Sequence, residues 1–170
     1  MPRVYVGIGS NIDRDFHISS CLQQLSQTFA QLILSGIYEA AAVGFDSDPF
    51  YNLVVSFETE LEPLEVAQYL AQIEIDHGRA ARSPKFSAHT LDLDILLYGD
   101  LITSEGRLRL PRADITQYAF VLEPLAQIAP EQQHPLLAKT YRQLWAEFDQ
   151  RCVQQTRVYP KWLNDDFVQS

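Results

Sequence analysis

The sequence predicts an α+β fold: a ferredoxin-like βαββαβ core, with helices packed on an antiparallel sheet, followed by a C-terminal helix and an extension. Three observations lead there. Four stretches alternate as strands do, two others carry apolar residues at helical spacing, and their order is strand, helix, strand, strand, helix, strand. That order hosts many activities, so it selects an architecture and no function. With 170 residues and 46% hydrophobic content, the chain is expected to form one domain, 1–170, around its own core.

The elements follow in order. Arg3 to Ser10 reads as the first strand, Val4, Val6 and Ile8 alternating against Tyr5 and the glycines, with Gly7, Gly9, Ser10 and Asn11 as a tight Gly-rich exit. This exit lacks the third glycine of a dinucleotide fingerprint and the Gly-Lys-Ser/Thr of a Walker loop. Ile18, Leu22, Leu25 and Phe29 predict a helix over about His17 to Phe29. Gln31 to Tyr38 reads as a second strand, Ala40 to Pro49 as a loop, and Phe50 to Glu60 as a third strand. Pro63 suits the first turn of a helix that runs to about His77, and Gly78 suits its C-cap. A basic loop leads to the strand holding Asp92 and Asp94, which ends at Gly99-Asp100. Leu108 to Pro111 is a candidate short strand. In Ile115 to Ile128, Phe120, Leu122 and Leu125 are expected to be buried, and Pro124 to start a helical turn. Tyr141, Leu144, Trp145 and Phe148 mark a late helix, and the extension over 151–170 shows no period.

Composition narrows the function. A net charge of −9 argues against broad nucleic-acid binding. Arg79, Arg82, Lys85, Arg107, Arg109 and Arg112 are six of only 13 basic residues, and they flank the Asp92/Asp94 strand, which points to a small anionic ligand. No apolar run is long enough to span a bilayer and no signal-peptide pattern opens the chain. Cys21 and Cys152 lack metal-type spacing, so a reduced, cytoplasmic protein is the expectation.

The most informative stretch is 78–98. The strand period sets Asp92 and Asp94 on one face and Leu91, Leu93 and Ile95 on the other. Two carboxylates so close call for a cation between them or a proton on one. A carboxylate pair plus substrate phosphates is a usual Mg²⁺ arrangement. Arg79, Arg82, Lys85 and His89 in the preceding loop suit phosphate oxygens. A solvated acidic face beside a charged loop has the same pattern, and the Asp-x-Asp alone does not separate the two.

Several motifs in register do. The stretch Lys85-Phe86-Ser87-Ala88-His89-Thr90-Leu91-Asp92-Leu93-Asp94-Ile95 resembles the signature of the 6-hydroxymethyl-7,8-dihydropterin pyrophosphokinase family of folate biosynthesis. Gly7-Ile8-Gly9-Ser10-Asn11, Pro49-Phe50-Tyr51-Asn52, Ile73-Glu74 with Gly78-Arg79, and FVLEPLAQIAP from Phe120 also match, so that the similarity covers about residues 4–148. The resemblance implies transfer of pyrophosphate from ATP to the hydroxymethyl group of the pterin, with AMP leaving. It implies two Mg²⁺ ions on Asp92 and Asp94, with ATP as co-substrate. Phe50 and Phe120 would sandwich the pterin, Asn52 would bond its edge, and Val43 and Phe86 would complete the pocket. Arg79, Arg82, Lys85, His89 and Arg112 would neutralise the developing charge, and Glu74, Lys85, His89, Arg112 and Tyr118 would contact the nucleotide. The expected partners are these small molecules, with no nucleic acid and no membrane.

The chain departs from the family pattern at named positions. His89 and Arg112 stand where the family has Arg and His, Tyr118 where it often has a second Arg, Phe86 where it has Trp, and Ala71 where it has Gln. Ala40-Ala41-Ala42 replaces Thr-Pro-Pro. Two accounts stand: an exchange in which Arg112 supplies the fixed charge and His89 a softer contact, or a retuned, catalytically weak pterin- or nucleotide-binding paralogue with a regulatory role.

Overall fold

The computed structural model describes residues 1–41, 48–78 and 90–163. Its elements are β1 (Arg3–Ser10), α1 (Arg14–Thr28), β2 (Ala30–Leu34), β3 (Ile37–Ala40), β4 (Phe50–Glu58), α2 (Pro63–Asp76), β5 (Asp92–Tyr98), α3 (Asp114–Gln117), α4 (Ala119–Ile128), α5 (Tyr141–Glu147) and β6 (Gln155–Val158), with a 3₁₀ turn at Gln150–Cys152. The strands form one antiparallel sheet in the order β5-β1-β4-β3-β6, with β2 also paired to β4. The ferredoxin-like βαββαβ core is therefore present.

The sheet separates two apolar layers. On one face Val4, Val6 and Ile8 meet Ile18 and Leu22 of α1 and Leu70 of α2. On the other, Tyr5, Val54, Leu96 and Leu97 meet Leu122 of α4 and Tyr141 of α5. A bulge opposite Tyr5/Val6 explains how the consecutive Leu96 and Leu97 both join the second layer.

Helix starts follow local chemistry. Pro63 occupies the first turn of α2, and Glu62 and Glu65 form a reciprocal capping box there. Gly78 ends α2 at φ +93, a left-handed conformation suited to glycine. Thr140 and Gln143 cap α5 in the same way as α2.

Five local expectations change. First, α1 begins at Arg14, ahead of His17. Second, the stretch read as one strand over 31–38 splits. Ser35 uses both its backbone N–H and its hydroxyl on Val54, while the Gly36 N–H turns to Gln127 Oε1 at 2.8 Å. Third, Leu108 to Pro111 reduces to a single bridge between Thr103 and Leu110. Fourth, Pro124 lies inside α4, where it returns no N–H to the Phe120 carbonyl; burial of Leu122, Leu125 and Ala126 outweighs that loss. Phe120 itself is half-buried, not core. Fifth, part of the extension is ordered: β6 pairs with β3, and the buried Leu163 joins the first layer.

Candidate active site

Cross-strand register builds the site. Gly9 of β1 lies opposite Asn52 on β4 and Asp92 on β5, and Gly7 lies opposite Val54 and Asp94. Directly opposed residues share a face, so two rows, Asn52–Gly9–Asp92 and Val54–Gly7–Asp94, run across three strands. Strands lie about 4.8 Å apart, so Asn52 and Asp92 sit on the order of 10 Å from one another across a glycine floor. A Cβ on Gly9 would come within 3.0 Å of Asn52 Oδ1 and 3.7 Å of a Phe50 ring carbon. Gly7 and Gly9 are strand residues, as the alternation predicts, and the missing side chain at Gly9 lets Asn52 and Phe50 lie close over β1, on the face that carries the two carboxylates. The sequence carried the signal, Gly-x-Gly inside an alternating strand; its meaning needed the partners.

Asp92 and Asp94 are half-buried on this face, while Leu93 and Ile95 point into the first core. Burial holds the Asp94 carboxyl well above the usual carboxylate range, with the Asp92 charge adding to it and Arg112 opposing. Arg112 is anchored by its backbone N–H to Leu96 O at 3.0 Å. Its guanidinium lies 3.5 Å from Asp94 Oδ1 and 3.3 Å from Asp114 Oδ2. Burial works against the Arg112 charge, but Asp94 and Asp114 outweigh it, and its pKa is raised. Asp114 was absent from the sequence reading, because nothing in Ala113-Asp114-Ile115 marks it as other than a helix-start acid. Among the described residues no group of three or more His, Cys, Asp or Glu side chains is placed to hold a metal ion.

At the other end, Phe50 opens β4 on the Asn52 face, and Asn52 is buried. Phe120, at the start of α4, stacks on Tyr118 with centroids 5.0 Å apart and planes at 18°. Arg14 clamps this edge. It caps the Tyr51 ring at 3.7 Å, pairs with Glu39 at 2.9 Å and donates to Pro49 O at 3.0 Å. Gln155 of β6 donates to Ala119 O at 3.1 Å and Glu123 Oε1 at 2.8 Å, tying the extension to the first turn of α4.

Other expected residues divide between the edge of the site and positions away from it. Glu74 accepts the Leu93 N–H at 2.8 Å, joining α2 to β5 beside the acidic pair. Arg109 donates to Ser104, Gly106 and Leu108 carbonyls, closing its own turn, and Arg107 is exposed. Arg79, Arg82, Lys85, Phe86, His89 and Val43 lie outside the described residues.

Comparison with known proteins bears on this arrangement. Residues 5–130 match the family model described as 7,8-dihydro-6-hydroxymethylpterin-pyrophosphokinase (HPPK). A Haemophilus influenzae protein named 2-amino-4-hydroxy-6-hydroxymethyldihydropteridine pyrophosphokinase is 37% identical over 136 residues, 77% of this chain and 84% of that protein. Proteins of the same name from Aquifex aeolicus and Bacillus subtilis are 32% and 35% identical, over 86% and 98% of this chain and 92% and 96% of theirs. In fold, a crystal structure of a Plasmodium falciparum HPPK-DHPS variant superposes with a TM-score of 0.74 at 15% identity. That match takes in 94% of this chain, which spans 45% of the longer one.

Proposed function

The chain belongs to the 7,8-dihydro-6-hydroxymethylpterin-pyrophosphokinase family, and from that premise we propose a job for each group around the Asn52–Gly9–Asp92 row. The activity is transfer of pyrophosphate from ATP to 6-hydroxymethyl-7,8-dihydropterin in folate biosynthesis. The pterin hydroxymethyl oxygen bonds to the β-phosphorus and gives up its proton to water, and the bond from that phosphorus to the α,β-bridging oxygen breaks, so that this oxygen leaves with AMP. No helix among the described residues is long and apolar enough to cross a membrane. We assign the reaction to the cytoplasm, where ATP is supplied and cysteines stay reduced.

The pterin would lie at the Asn52 end. Asn52 offers both a donor and an acceptor to the edge of a flat ring that itself has both. Phe50 and Phe120 would cover its two faces. Tyr118, stacked on Phe120, would hold that ring and border the nucleotide, and Val43 and Phe86 would close the pocket.

The triphosphate would lie at the Asp92/Asp94 end, and the donor set there fits Mg²⁺. The carboxylates are hard oxygen ligands on one face, and Asp94, whose pKa is raised first by burial and then by the Asp92 charge, is a carboxyl that a bound cation would help to ionise. Mg²⁺ keeps several waters and accepts one or two protein carboxylates plus phosphates, so a two-carboxylate site suffices. Two such ions are what the family resemblance implies, and when bound they would neutralise and orient the phosphates. Arg112 would hold a phosphate oxygen beside them, with Arg79, Arg82, Lys85 and His89 of the 79–89 segment sharing that load. Glu74, by accepting the Leu93 N–H, would keep β5 in register under the metal.

The observation carrying this reading is the Asn52–Gly9–Asp92 row, which sets a ring-edge ligand and a metal ligand on one face, on the two strands that flank β1. Opposite failures test it. Asp92→Asn should lower kcat by about 100-fold or more with pterin affinity kept. Asn52→Leu should weaken pterin binding about tenfold or more with ATP affinity kept. A near-normal kcat in Asp92→Asn would overturn it.

A further inference from the structure

The contact between Arg112 and Asp94 is unexpected at a metal carboxylate. Asp94 faces a guanidinium at 3.5 Å, and that guanidinium is held from behind by Asp114 at 3.3 Å. Both separations exceed the 2.7–2.9 Å typical of charge-assisted hydrogen bonds. The Arg112 atom that faces Asp114 is its buried Nε, whose N–H is not aligned on Oδ2. A fork held by charge at two points, without a short hydrogen bond at either, is placed but not locked. Its backbone is fixed, since its N–H bonds to Leu96 O beside the β5 bulge, so only the side chain is free to change partner.

We propose that Arg112 is an internal stand-in for the metal: it pairs with Asp94 in the metal-free enzyme, is displaced when a divalent cation arrives, and then turns the donors that faced Asp94 to the nucleotide phosphate. Asp114 is the positioning residue that retains it during the exchange, so that the guanidinium moves a short way and stays at the site. The same device discourages metal binding before nucleotide, because a cation arriving alone must break the Arg112 contact without a phosphate to receive it. Arg112 thereby couples metal and nucleotide binding, each favouring the other.

The inference rests on the metal reading of Asp92 and Asp94, and Mn²⁺ alone, followed by its free-ion EPR signal at low ionic strength, separates the two. Arg112→Gln should bind Mn²⁺ about three- to tenfold more tightly than wild type, the scale of one released, partly exposed ion pair. The same variant should turn over more slowly, whereas a merely structural role would weaken both. Arg112→Lys, which keeps the charge, should stay near wild-type Mn²⁺ affinity. Asp114→Asn should weaken Mn²⁺ binding more in wild type than in the Arg112→Gln background, because part of its effect passes through Arg112. A readout needing no variant is the Arg112 Nε–H resonance, which should shift and exchange faster with water when Mg²⁺ is added without nucleotide. Unchanged or weaker Mn²⁺ binding in folded Arg112→Gln, or an Nε–H signal indifferent to Mg²⁺, overturns the stand-in role. If Asp94→Asn leaves Mn²⁺ binding unaltered, the metal reading itself fails.

Discussion

Replacing Asp94 with Asn should abolish turnover and yet make the metal-free protein more stable. Asp94 carries a carboxyl whose pKa is raised from 3.8 to about 7, by burial first and by Asp92 second, with Arg112 only partly compensating. A folded-state pKa above the unfolded one means that ionisation opposes folding. The penalty is absent below the unfolded value, grows as pH rises from there, and levels off above about 7. At about 1.4 kcal/mol per decade, the ceiling at pH 8 is ~4 kcal/mol. The side chain is 31% exposed, and water screening reduces the expected gain of the neutral amide to about 1–2 kcal/mol. In a chain of this size that is a rise in Tm of about 2–8 °C. Thermal unfolding by circular dichroism, in chelator, at several pH values, measures it. The gain should be full at pH 8 and vanish towards pH 4. Mg²⁺ with a non-hydrolysable ATP analogue should then stabilise wild type and not the variant, reversing their order. No gain at pH 8, or the same gain at pH 4, would refute the reasoning.

Three other perturbations address the surroundings. Gly9→Ala puts a Cβ 3.0 Å from Asn52 Oδ1, so the KM for pterin should rise about tenfold while the KM for ATP holds; steady-state kinetics with each substrate varied reads this. His77, beside His17 at 2.6 Å and near Gln24 and Asp76, has its pKa lowered by burial and then by His17. Its folded pKa lies below the unfolded one, so stability should fall as pH drops below about 6.5, and His77→Gln should flatten that slope in denaturant titrations. Gln155→Ala frees the first turn of α4 from β6, so pterin affinity should fall about three- to tenfold by calorimetry with nucleotide affinity unchanged.

How much of this was legible depended on how local each signal was. Alternation in β1, β4 and β5 is a property of consecutive residues, as are Pro63 at the start of α2 and Gly78 at its end. These elements sit where the pattern puts them. β6 escaped because Gln-Thr-Arg-Val is short and polar and becomes a strand only against the edge of β3. Pro124 was misread because helix propensity is a weak prior against the buried Leu122, Leu125 and Ala126. In the site, the Asp92/Asp94 pair could be read from the strand period, but the Asn52–Gly9–Asp92 row could not. It arises because Gly9 meets residues of two strands distant in sequence. Asp114 and Arg14 gain their meaning only from what stands beside them. Arg109, grouped with the site cations by sequence proximity, spends its donors on its own turn, since proximity along the chain says nothing of direction.

The most direct trial of the account follows the nucleotide product. Purified protein with ATP, 6-hydroxymethyl-7,8-dihydropterin and Mg²⁺ should yield AMP and pterin diphosphate in equal amounts, and no AMP when either the pterin or the metal is withheld. Pterin that binds but elicits no AMP, or a nucleotide product that is ADP, would contradict it.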